Sequence, residues 1–161
     1  TGYAGNGTKS FYRFMWASVA LDDAKKLNIT PYEYYVSKVG MNALSIKKYN
    51  ILENFFKLKL KELKYVDCQT SEQKLICEEL KQSIALLQMI DHFSVAISDK
   101  ITLDEKNKYL DYVLANKDKY LKKQKELWLA RNKEGGLEKS IKRLTDFFAT
   151  VENIKSFLMK N

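Results

Sequence analysis

Turn formers are scarce in this chain. Its 161 residues include one proline, Pro31, and six glycines. A sandwich or barrel needs a turn about every 8–12 residues, so the scarcity argues against all-β designs and for a few long helices. Reactive residues are scarce as well: His92 is the only histidine, and Cys68 and Cys77 are the only cysteines. A structural zinc site takes about four ligands, so these residues fall short of one. The 28 Lys+Arg include only three arginines, Arg13, Arg131 and Arg143. Nucleic-acid readers rely on the planar, bidentate fork of arginine, and its rarity argues against that class. No apolar run approaches the roughly 18 residues of a membrane span, and no charged-then-apolar leader heads the chain. The abrupt start, Thr1 to Gly7 with glycines at 2, 5 and 7, reads as that of a fragment or processed form. Residues 1–8 are expected to be loose unless docked.

What is present suits one helical domain over residues 1–161. Hydrophobic residues make up 45% of the chain, including 10 Tyr, 8 Phe and 2 Trp, enough to fill a core. The net charge of +8 permits a polyanionic partner without requiring one. The lysines concentrate in two runs, 57, 59, 61, 64 and 117, 119, 122, 123, 125, with Tyr65 and Tyr120 among them. A single-strand binder would stack bases on such tyrosines. Helical tyrosines between lysines more often pack their rings and expose their hydroxyls, so nucleic-acid binding is not the expectation.

Periodicity and caps outline the helices. Thr8 or Ser10 can start a first helix to Leu27, with Phe11, Phe14, Met15, Val19 and Leu27 on its apolar face. Asn28 ends it. Thr30-Pro31-Tyr32-Glu33 is a capping box with proline at the first helical position. The helix that follows should break at Gly40 and Asn42 into pieces near 31–39 and 43–66, the second striped by Tyr49, Leu52, Phe56, Leu60 and Leu63. Thr70 with Gln73 makes a weaker box before a helix to Ser98 bearing Ile76, Leu80, Leu87, Ile90 and Ile97. Thr102 and Glu105 open a fourth long helix carrying Leu110, Val113, Leu114, Leu121 and Trp128, closed near Gly135-Gly136. Leu137, Ile141, Leu144, Phe148, Val151 and Leu158 stripe the last. Short links between long amphipathic helices make antiparallel neighbours. The expected fold is therefore all-α, an up-down antiparallel bundle of four to six helices.

No group of residues in the sequence assembles a reaction. Asp91 adjoins His92, but neighbours in a helix do not face each other, so His92 reads as an ordinary surface or half-buried histidine. The carboxylate pairs Asp22-Asp23, Glu78-Glu79 and Asp104-Glu105 read as solvated faces and caps. The glycines at 2, 5 and 7 lack the strand and spacing of a phosphate loop. No catalytic, cofactor-binding or metal-ligating residue is assigned. Cys68 and Cys77 would be bridged in a secreted protein and free in a cytosolic one, and composition does not choose between these compartments.

One stretch is unlike a generic bundle: Glu126-Leu127-Trp128-Leu129-Ala130-Arg131-Asn132-Lys133-Glu134-Gly135-Gly136-Leu137-Glu138-Lys139-Ser140. It resembles a segment in the C-terminal helical region of bacterial β-N-acetylhexosaminidases of glycoside hydrolase family twenty, with Glu134 where many relatives carry proline. The similarity extends over about residues 75–150 in the order of its helices. It implies a non-catalytic accessory domain that docks on a catalytic domain of the same chain or on a second copy. The family's catalytic pair lies in a barrel that this sequence does not include, so no catalytic role transfers. In physical terms Trp128 is an anchor between helices. Arg131 and Asn132 suit the last carbonyls of a helix, and Gly135-Gly136 permits a close reversal. The alternative is a free-standing, possibly secreted helical interaction protein whose basic face meets an acidic partner.

Overall fold

The computed structural model describes residues 2–132 and 135–160, with side chains from residue 9 onward. Six helices follow one another: α1 (Gly2–Leu27), α2 (Pro31–Val39), α3 (Ile46–Leu63), α4 (Ser71–Ser98), α5 (Leu103–Arg131) and α6 (Leu137–Lys160), with a 3-10 turn at Gly40–Asn42 between α2 and α3. No strand occurs among the described residues, and the all-α bundle is the observed architecture. α1, α4, α5 and α6 enclose the main core, α2 packs on α1 and α6, and α3 lies on α4.

The caps explain most boundaries. Thr30, Ser45, Thr70 and Thr102 each accept the amide three residues on through the side-chain oxygen, which satisfies one of the four orphan donors at a helix start. Of the three expected capping boxes, the one at Thr70 is complete, because Gln73 returns to the Thr70 amide at 3.1 Å. At Thr30 and Thr102 the glutamate instead takes the threonine hydroxyl proton, at 3.1 and 3.0 Å. Asn28, at φ 56°, ends α1 in the left-handed region that asparagine tolerates. Gly40 sits at φ +31° where α2 breaks. α3 is secured at its start by Asp99, whose carboxylate accepts the Ile46 amide at 2.6 Å.

Two larger apolar clusters form the interior, beside a minor one of Ala20, Ala24 and Tyr34. In the main one Phe93 and Phe147 meet at 5.7 Å between centroids, Tyr35 at 4.9 Å from Phe93 and Phe14 at 5.3 Å from Phe147. The smaller one joins Leu44, Tyr49, Leu52 and Phe56 to Val95. α4 runs between the two and is buried on every side from Gln88 to Ile97.

Helix α1 departs most from expectation. It begins at Gly2 and takes in the glycine-rich start, well ahead of a Thr8 or Ser10 cap. The Thr8 side chain lies outside the described residues. Phe11 and Met15 are 56% and 45% exposed, Leu27 is exposed, and Ser10, Arg13, Phe14, Ala17, Ala20 and Ala24 face inward. The small alanines let α1 approach Tyr34 of α2 closely, and the polar pair meets a buried carboxylate on α4. On α4 itself Ile76 and Leu80, expected on the apolar stripe, are exposed, and only Ile90 and Ile97 of that stripe are fully buried. The first turns of α4 extend past the main core.

Candidate functional site

The α5–α6 corner brings the expected residues together, in partly different roles. Arg131 does not cap α5. Its Nε donates to Glu79 Oε2 at 2.7 Å and its Nη2 to Oε1 at 2.6 Å, with Glu72 Oε1 3.0 Å away. This bidentate fork ties the end of α5 to the start of α4, and it holds the Glu79 carboxyl below its ordinary range. Asn132 does serve the helix end: its backbone amide and its side-chain amide both donate to the Trp128 carbonyl, at 2.8 and 3.3 Å. Asn132 is extended at φ −130°, so α5 ends at Arg131 without a left-handed residue. The left-handed residue is Gly136, at φ 86°, where a Cβ would stand 3.5 Å from Trp128 Cζ2. Glu134 lies outside the described residues. Trp128, Leu127, Leu86, Phe11 and Arg131 line a groove of about 410 Å³ joining the corner to α1.

Two buried polar groups lie back to back on α4. His92 is buried, not a surface or half-buried residue as its sequence suggests. Its Nδ1 is 2.6 Å from the Gln88 carbonyl, and its Nε2 is 2.9 Å from the Tyr49 hydroxyl. Nδ1 therefore donates and Nε2 accepts from Tyr49, which fixes a neutral tautomer. Tyr112 stacks on the ring at 3.8 Å. Burial lowers the His92 pKa to about 4 and raises that of Tyr49. With both nitrogens engaged and the tyrosine hard to ionise, the pair is suited to joining α3 to α4 rather than to moving protons.

Asp91 faces the opposite way, toward α1. Ser10 donates to its Oδ1 at 2.9 Å, and Arg13 Nη1 lies 4.0 Å from the same oxygen. Arg13 Nε donates to the Asn42 carbonyl at 2.7 Å, fastening the turn after α2. Burial raises the Asp91 pKa to about 7 and lowers that of Arg13. Asp91 Oδ2 and Arg13 Nη1 have no hydrogen-bond partner among the described residues. Sequence reasoning missed this cluster; the one available signal is that position 13 holds one of only three arginines in a lysine-rich chain.

The carboxylate pairs are structural. Asp23 accepts from the Tyr34 hydroxyl at 2.8 Å. Glu78 pairs with Lys81 at 3.3 Å and Lys123 at 3.1 Å. Cys68 and Cys77 are joined as a disulfide that ties the α3–α4 link to α4. No cluster of three or more metal-ligating side chains occurs among the described residues, and no helix is long and apolar enough to cross a membrane.

A concavity of about 490 Å³ lies between α4 and α5 and is bordered at one side by Leu60 of α3. It gathers Lys81, Lys119, Lys122 and Lys123 beside Glu78 and Glu126. Lys119, Lys122 and Lys123 of the second lysine run thus line the cleft, and none of the first run does. Tyr120 is buried, so it offers no stacking platform, whereas Tyr65 is 82% exposed. Compared with known proteins, the chain matches no family model, no curated protein and no solved structure.

Proposed function

We propose that the chain is a non-catalytic helical docking domain, of the kind that accompanies a β-N-acetylhexosaminidase-like glycoside hydrolase. It would be held against the catalytic domain by α1 and the α5–α6 corner. The observation that carries this reading is the reversed face of α1. Phe11 and Met15, one turn apart, are exposed, while Phe14 is the one large apolar residue among the inward Ser10, Arg13, Ala17, Ala20 and Ala24. Phe11 also lines the groove of Leu86, Leu127 and Trp128. Aromatic and apolar side chains exposed together beside a tryptophan are what a partner covers. The resemblance of residues 126–140 to the family's C-terminal helical region supports the choice of partner, because Trp128 and Arg131 sit at the rim of this groove.

The test has two parts. The reading frame on the N-terminal side of Thr1 is expected to encode a catalytic barrel. In the protein containing that barrel, Phe11→Glu with Met15→Glu is expected to release the helical domain to limited proteolysis while leaving the domain's own helical signal intact. A second copy as occupant would appear as a concentration-dependent dimer in sedimentation velocity that the same two substitutions abolish. A frame with no barrel, together with a monomer at all concentrations, would refute the proposal.

A further inference from the structure

We infer that the cleft between α4 and α5 is a binding site for a small anionic amphiphile, a free medium-chain carboxylate. This inference does not rest on the docking reading, whose surface is formed by α1 and the α5–α6 corner. The volume of about 490 Å³ falls in the range of roughly 300–1,000 Å³ typical of small-molecule sites. Its floor is apolar where α4 presents Ala85 and Met89, with Leu60 and Tyr112 beside them. Several polar groups beside the floor are already committed. The Gln82 amide donates to the Tyr120 carbonyl at 2.8 Å. The Gln88 carbonyl serves His92, and the Gln88 side chain bonds Glu53. An alkyl chain laid on this floor therefore strips water from little that needs it.

The rim selects the head group. Four lysines face two glutamates there. Glu78 is shared by Lys81 and Lys123, whereas Lys119 and Lys122 are exposed and form no ion pair among the described residues. The surplus is positive, so a carboxylate at the rim gains two available cations and a cationic head is repelled. The small side chain of Ala85, between the longer Gln82 and Gln88, leaves the space in which the chain would lie.

Isothermal titration calorimetry with sodium dodecanoate, kept below its micelle concentration, tests the site. The expected result is saturable binding of one molecule per chain. Dodecyltrimethylammonium, with the same tail and the opposite charge, is expected not to saturate. Lys119→Glu with Lys122→Glu, both on the surface, should weaken dodecanoate at least about tenfold. Ala85→Phe should do the same by filling the floor; if that variant fails to fold, the lysine pair decides. Equal binding of both amphiphiles, no binding, or binding indifferent to the lysine pair would overturn the inference. So would cosedimentation with phosphatidylglycerol vesicles in the absence of dodecanoate binding, which would assign the lysines to a membrane surface.

Discussion

Asp91 and His92 should make opposite contributions to stability across one pH range, and substitution should separate them. Both are buried, at 0% and 7% exposure. Asp91 has its pKa raised from 3.8 to about 7. The folded chain therefore holds a proton there that the unfolded chain has released. The stability linked to Asp91 is complete below about pH 4 and is lost as the pH rises through about 7, about 4 kcal/mol in all. His92 has its pKa lowered from 6.5 to about 4. Its contribution is complete above about pH 6.5 and is lost as the pH falls to about 4, about 3 kcal/mol in all. Each slope is about 1.4 kcal/mol per pH unit and the signs are opposed, so the two cancel in the wild type between about pH 4 and 6.5. Glu53, also raised by burial, adds to the Asp91 direction but is common to every variant. Urea unfolding followed by far-ultraviolet circular dichroism at a series of pH values should therefore give three profiles. Relative to the wild type, Asp91→Asn should gain stability with rising pH, and His92→Gln should lose it. Folded Asp91 is protonated across this range, so Asp91→Asn exchanges one neutral group for another and takes no counter-charge from Arg13, and the slope remains the readout. An Asp91→Asn profile parallel to that of the wild type would refute the reasoning.

Two further outcomes test the corner and the α3–α4 link. Gly136→Ala should destabilise by about 1 kcal/mol in thermal or urea unfolding, because φ of 86° strains any residue with a Cβ. The space beside Trp128 is adequate, so trimming Trp128 should not relieve the cost. Cys68→Ser opens a bridge spanning nine positions of sequence, and the loss of chain constraint should lower stability by up to about 3 kcal/mol. Mass spectrometry of the unreduced wild type should show both thiols oxidised.

The parts legible in the sequence were those set by local chemistry. Thr30-Pro31, Thr70 with Gln73, and Thr102 with Glu105 mark starts because a threonine oxygen and an amide three residues on are close in any helix. The break at Gly40 and the stripe of Leu144, Phe148 and Val151 on α6 follow from backbone freedom and helical spacing in the same way. The orientation of α1 was not legible. Ranking its residues by hydrophobicity points Phe11 and Met15 inward, yet the decisive contact is Ser10 to Asp91, separated by 81 positions. His92 read as an ordinary surface or half-buried histidine for the same reason, since its partner Tyr49 lies on another helix. The second lysine run was visible, but the cleft that Lys119, Lys122 and Lys123 line was not, because it depends on how α5 packs beside α4.

Helix α3 is fastened at both ends and, through Tyr49, Leu52 and Phe56, along one face. The Asp99 carboxylate grips its first amide, the Cys68–Cys77 bond shortens its exit, and one side is covered, by α4. Less buried than α4, α3 is expected to open first, its amide hydrogens exchanging with solvent sooner than those of α4. Recovery from each excursion then involves no long-range search, only the reseating of a hinged flap whose two tethers are never far from home.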